Sequence, residues 1–188
     1  MRKTSRRALG WGRVALVGFR CWQSRKFYPP SSLPSYQARD SAMAYILEKQ
    51  RELDFPHVKT VVWAHNGHLV YTPYGSGGFE PEGTIPMGAQ IRERLGREYE
   101  AIAFTAYDTK INWPGIEEPM PTPSAGSIED KLHQLGENHL LVDLKHISRR
   151  FIEPGKEYEI SWVNDVPTKA YGAILYLGYS PPMDALFW

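Results

Sequence analysis

Apolar residues recur at helical spacing across residues 39–53, where Ala42, Met43, Ile46, Leu47 and Leu53 share one side. Asp40 or Ser41 is a suitable N-cap for this helix, and Pro56 closes the region. The period then changes. Val61, Val62, Trp63 and Ala64 form a short β-branched and aromatic run, which predicts a buried parallel strand over 59–65. That run breaks at His65-Asn66-Gly67-His68, with two histidines three positions apart. Residues 69–86 hold four glycines and three prolines and read as a long irregular loop.

Helical periodicity returns over 87–96, with Gly96 as a C-terminal stop. Residues 100–107 alternate as a second strand, and 113–126 are proline-rich loop. Ser127 caps a short helix that ends near Gly136. Residues 139–144 form a third strand with Asp143 near its end, and 157–163, 170–177 and 185–188 are further strands. This alternation predicts an α/β fold: a partial, mostly parallel sheet with crossover helices.

Composition narrows the class. The 188 residues fit one domain with a sizeable core, and 42% hydrophobic residues is ordinary for a globular chain. No apolar run reaches spanning length, so no transmembrane helix is expected. A net charge of +1 argues against a nucleic-acid partner. Cys21 is the only cysteine, which excludes an intrachain disulfide and a cysteine-rich metal cluster. Six Trp and eleven Tyr allow an organic ligand, although packing is the commoner use of aromatic residues.

Charge is uneven along the chain. Nine of the 22 basic residues and no acid lie in residues 1–39, leaving 13 basic against 21 acidic residues, a net of −8, beyond them. Residues 1–35 therefore read as a basic leader closed by a proline-rich linker, and 36–188 as the folded domain. Arg6-Arg7 before an apolar stretch is a faint export signal, but Arg13 interrupts it, so a cytoplasmic location is the expectation and export the alternative.

The chemistry concentrates at the end of the 59–65 run. Two imidazoles at a turn can exchange protons, hold an oxyanion or bind a metal near neutral pH. Zinc would need a third ligand from Asp40, Asp143 or Glu80, and no helical His-Glu-x-x-His pattern is present. Tyr74-Gly75-Ser76-Gly77-Gly78 lacks the strand-turn-helix context of a nucleophile elbow. Cys21 sits in the basic leader, a poor place for a nucleophile. Arg39 and Asp40 fit a helix-start ion pair and cap equally well, and Asn66 fits an Asx turn.

Arg39-Asp40, Met43-Ala44, Trp63-Ala64-His65-Asn66-Gly67-His68, Met87-Gly88, Leu95-Gly96 with Tyr99, Ser127-Ile128-Glu129, Leu141-Val142-Asp143-Leu144 and Met183-Asp184-Ala185-Leu186 occur in this order. In order and spacing they resemble the C-terminal half of the erythromycin esterase family, over residues 36–188. The Trp-Ala-His-Asn-x-His element is the specific part. The resemblance implies a hydrolase that opens a macrolide lactone, or a related small-molecule ester, by attack of water and without cofactor or tightly held metal. It implies catalytic roles for His65 and His68, which would bind substrate or steady the oxyanion, and for Arg39 as a fixed positive charge. Asn66, Trp63, Tyr74 and Asp40 would line the substrate site. In the family a Glu and a His from the N-terminal half supply the principal base. No counterpart is found here, so the chain is expected to be a truncated member, inactive alone or active only with a missing half, and the alternative is a catalytically inactive ligand-binding or interaction remnant of that fold. A sheet without its neighbours would also expose apolar edges and lower solubility.

Overall fold

The structure is a computed structural model that describes residues 32–54, 56–75, 81–113, 116–119, 122–147, 159–160, 163–164 and 167–181. The chain divides into two units, Met1–Tyr99 and Glu100–Trp188.

In the first unit, α1 spans Leu33–Leu53. It begins at Leu33 and not near residue 39, with Ser32 as its N-cap. Pro34 falls in the first turn, where a missing N–H costs no helix bond, so the last proline of the expected linker opens the helix. The buried residues of α1 are Ser35, Asp40, Ala42 and Ala44, whereas Leu53 is exposed. Small side chains on the inner face permit the close approach of α3, Met87–Leu95, which packs on α1.

The predicted strand over 59–65 does not form. The segment carries no ladder, and Val61 is 92% and Trp63 79% exposed. Strand composition supplies only a preference, since a strand needs a hydrogen-bonded neighbour to exist as one. The alternation survives, with Val62 and Ala64 more covered than Val61, Trp63 and His65. The chain then turns into the one-turn helix α2, Asn66–Leu69.

Of the expected 69–86 loop, residues 70–75 and 81–86 are irregular, Leu69 ends α2 and 76–80 lie outside the described residues. Its ends are clipped together, as Tyr74 N–H donates to Thr84 O and Gly83 N–H to Tyr74 O, both at 2.9 Å. α3 ends at Gly96 with φ 55°, a conformation that glycine adopts without steric cost. A 3-10 turn, Gly96–Glu98, leads to Tyr99, whose hydroxyl donates to Leu69 O at 2.7 Å. Burial raises the Tyr99 pKa above its ordinary value, which keeps that donor protonated. At Gly88 an added Cβ would stand 2.2 Å from Leu69 O and 2.7 Å from Val70 O. The start of α3 therefore lies directly on the backbone that leaves α2.

The second unit contains β1 (Ile102–Trp113), β2 (Ile116–Pro119), α4 (Ile128–His133), β3 (His139–Asp143), β4 (Glu159–Ile160), β5 (Val163–Asn164), α5 (Pro167–Ala170) and β6 (Ala173–Ser180). The main sheet has the order β2-β1-β6-β3, and β4 pairs with β5 alone. Only β1 and β6 run parallel; β2 and β3 join antiparallel. The fold is thus mixed α/β with a partly parallel sheet. Part of the expected 113–126 loop is the return strand β2, which the prolines had hidden. Residues 185–188, expected as a final strand, lie outside the described residues.

Ala103, Thr105, Ile174 and Tyr176 form the buried face of the sheet, where α4 supplies Ile128 and Leu132. Ser127 caps α4 by accepting Asp130 N–H at 3.2 Å. Glu129, fully buried, accepts from Thr105 Oγ1 at 2.5 Å. The opposite face is open. Ile102, Phe104 and Leu141 remain exposed, and Phe104 and Leu141 flank Leu175 in register.

Two outcomes follow. Gly88→Ala should lower stability by about 1–3 kcal/mol in urea melts, because overpacking outweighs the ~1 kcal/mol that alanine offers a helix. The folded protein should bind an apolar dye such as ANS, and Leu141→Lys should weaken that signal while moving stability by less than about 0.5 kcal/mol. Native protein without dye binding would contradict the open face.

Candidate functional site

The expected site residues meet where α1, α2 and α3 approach one another in the first unit. Asp40 is fully buried although it is charged, and its Oδ1 explains how. That oxygen accepts Met87 N–H at 2.9 Å and lies 2.9 Å from His68 Nδ1. Met87 begins α3, whose N-cap is Pro86, a residue with no capping side chain. Asp40 therefore supplies from α1 the cap that α3 lacks locally, and its negative charge suits a helix N-terminus. Asp40 is not the cap of its own helix, contrary to the alternative left open by the sequence, because α1 starts upstream of it.

His65 is the N-cap of α2, and its Nδ1 accepts Gly67 N–H at 3.2 Å. One helical turn later, His68 sits on the same side. The two ring centroids are 6.4 Å apart and the rings cross at 74°. Too wide a gap separates the ring nitrogens for a direct hydrogen bond. The pKa of His65 is lowered, first by burial and then by the positive potential of His68 and Arg39. Arg39 Nε lies 3.7 Å from Asp40 Oδ2, and its guanidinium rests 4.8 Å from the centre of the Tyr36 ring.

Tyr74 is buried, with its hydroxyl against Gly67: a Cβ on Gly67 would stand 1.8 Å from Tyr74 Oη. The missing side chain of Gly67 is what admits the tyrosine. Asn66 opens α2 and is half-buried. Trp63 lies on the extended segment two residues before His65 and is largely exposed.

The sequence offered no signal for the Met87 N–H, because a backbone donor has no residue type. Arg92 also escaped attention, and Tyr99 stood out only as part of the family pattern. Arg92 donates to Tyr99 O at 2.6 Å and stacks 4.6 Å from the centre of the Tyr71 ring, which braces the far end of α3.

Of the alternative zinc ligands, Asp143 belongs to the second unit. There it accepts Lys145 N–H at 2.9 Å and pairs with His146 Nδ1 at 2.8 Å on an exposed turn, and the His146 bond lowers its pKa. Glu80 lies outside the described residues. Among the described residues no three His, Cys, Asp or Glu side chains gather as a metal site. No helix among them is long and apolar enough to cross a membrane.

The erythromycin esterase family model matches residues 16–187. The chain belongs to the erythromycin esterase family. It is 32% identical over 120 residues to erythromycin esterase type I of Escherichia coli, an alignment covering 58% of this chain and 28% of that protein. With erythromycin esterase type II of Escherichia coli it shares 26% over 119 residues, covering 57% and 27%. Among solved structures, a mutant of the erythromycin esterase EreC in its open conformation matches with TM-score 0.58 and 25% identity, over 76% of this chain and 37% of that one. A Bacillus cereus protein matches with TM-score 0.68 and 18% identity, over 88% and 43%, which bears on the fold alone. The matched segment thus covers under a third of the curated relatives.

The His65 shift fixes a pH dependence. The unfolded chain takes up this proton near 6.5, the folded one only at lower pH. Stability therefore falls as pH drops below about 6.5 and is unaffected by this group above it. Thermal melts from pH 8 to pH 5 should show a steeper loss for wild type than for His65→Asn, whose amide oxygen can still cap α2.

Proposed function

We propose that this chain is an ester hydrolase of the erythromycin esterase type, opening a macrolide lactone or a related carboxylic ester by attack of water. The observation that carries the reading is the His65–His68 pair on one turn, braced by a buried carboxylate, within a segment matched by the family model. The imidazoles can contact a polarised carbonyl and the water that attacks it. Arg39 brings a positive charge close enough to depress the His65 pKa, and so to favour a developing oxyanion. Asn66, Tyr74 and Trp63 are the proposed substrate contacts beside the pair, and Asp40 holds the site from below. Inactivating a macrolide in this way would give the cell antibiotic resistance.

A second reading is favoured by one fact. The matched segment covers 28% of the type I relative, and on this reading the chain binds a macrolide without turning it over.

Incubation with erythromycin and with an aryl ester, followed by mass spectrometry, separates the readings. A mass gain of one water, reduced at least about 100-fold in His65→Ala with His68→Ala, is the expected result. Macrolide binding without any mass gain would support the second reading and overturn the first.

A further inference from the structure

The turn that carries the histidines is too short to support itself. A helix of four residues makes few bonds of its own, so its place depends on what grips it from outside. One grip is on a side chain, where His68 Nδ1 lies 2.9 Å from Asp40 Oδ1. A ring held only through its own nitrogen can still swing about its side-chain bonds while the main chain shifts. The second grip is on the main chain, one residue later. Leu69 O ends α2, where no further helix bond is made, and it accepts the Tyr99 O–H at 2.7 Å.

Tyr99 is itself fixed at both its ring and its main chain. The ring meets that of Tyr71 edge to face, with centroids 5.7 Å apart and planes at 75°. Its carbonyl accepts from Arg92 Nη1 at 2.6 Å. The Arg92 guanidinium in turn rests 4.6 Å from the centre of the Tyr71 ring. Tyr71 follows Leu69 by two residues, so Leu69, Tyr71, Arg92 and Tyr99 form a closed circuit. The other end of α3 meets the same carbonyl, because a Cβ added at Gly88 would stand 2.2 Å from Leu69 O. The segment 88–99 therefore closes on Leu69 O from both of its ends.

We propose that Tyr99 is a positioning residue of the site, its hydroxyl fixing the main chain of the turn at Leu69 and with it the place of His68. Asp40 orients the imidazole, and Tyr99 locates the backbone that carries it. The effect on rate rests on the hydrolase reading above; the effect on the His68 ring does not. Without the hydroxyl, the carbonyl of a buried residue is left unbonded beside the start of α3, and the turn relieves that cost by moving. Burial raises the Tyr99 pKa, so the tether keeps its proton wherever ordinary tyrosines do.

The test is Tyr99→Phe, which removes one oxygen and keeps the ring against Tyr71. Kinetics on an aryl ester, read well below the melting temperature, should show kcat lower by about 10- to 100-fold with KM within about twofold of wild type. In the full, 15N-histidine-labelled chain, the His68 ring signals, assigned with His68→Asn, should shift or broaden, while those of His133 and His146 in the second unit stay in place. Ser127→Ala, which removes the α4 cap, is the control for stability alone. It should lower the melting temperature without moving kcat or the His68 signals. Unmoved His68 signals in Tyr99→Phe would overturn the proposal, and so would wild-type kcat in that variant or an equal loss of kcat in Ser127→Ala. Should Tyr99→Phe not fold, Arg92→Gln, which loosens Tyr99 through its carbonyl and ring partner alone, must move the His68 signals for the proposal to stand. A wild-type chain that turns over no ester would instead remove the hydrolase reading, and the His68 signals would still decide the positioning role.

Discussion

A carboxylate taken out of water costs several kcal/mol unless its oxygens are bonded, so a fully buried aspartate must be held by its surroundings. Asp40 meets that requirement at Oδ1, with a helix N-terminus and an imidazole, while Oδ2 is buried without a hydrogen bond and has the Arg39 guanidinium 3.7 Å away. Each of those partners belongs to a different part of the first unit or sits beside Asp40 itself. The packing of α3 on α1, the orientation of His68 and the entry of the chain into α3 all depend on this single side chain. Removing it would leave an uncapped helix and an unanchored ring together, so its structural and chemical roles cannot be separated by deletion, only by substitutions on its partners.

The second unit follows another logic. Its sheet buries one face beneath α4 with an alternation that runs cleanly from Ala101 into β1 as far as Thr105. The other face carries Ile102, Phe104 and Leu141 to solvent. Sheets with parallel strands usually have both faces covered.

Much of this was legible in the sequence. Ser127 and Gly96 marked helix ends correctly because capping is a local interaction, readable from a few adjacent residues. Strand β3 was found because its alternation is short and uninterrupted. The 59–65 run misled because its composition describes a preference for pairing, while the partner that would satisfy it is a tertiary fact. Pro34 misled in the other direction, since the residue that breaks a helix interior is at home in its first turn. At the candidate site, the histidines, Asp40 and Arg39 stood out as residue types. Their connections did not, because Met87 contributes only a backbone group and Gly67 contributes only the absence of one.

Gly88 has a consequence for how this region can drift over evolutionary time. Its position leaves no room for even a methyl group between α3 and the chain leaving α2. The distance between the turn that carries the histidines and the helix that Asp40 caps is therefore set by main-chain contact, not by interlocking side chains. Side chains around it can be exchanged and repacked without altering that spacing. The gauge of the site is kept by a residue that contributes no atoms to it, and sequence change elsewhere in the unit can accumulate while the histidine turn stays where it is.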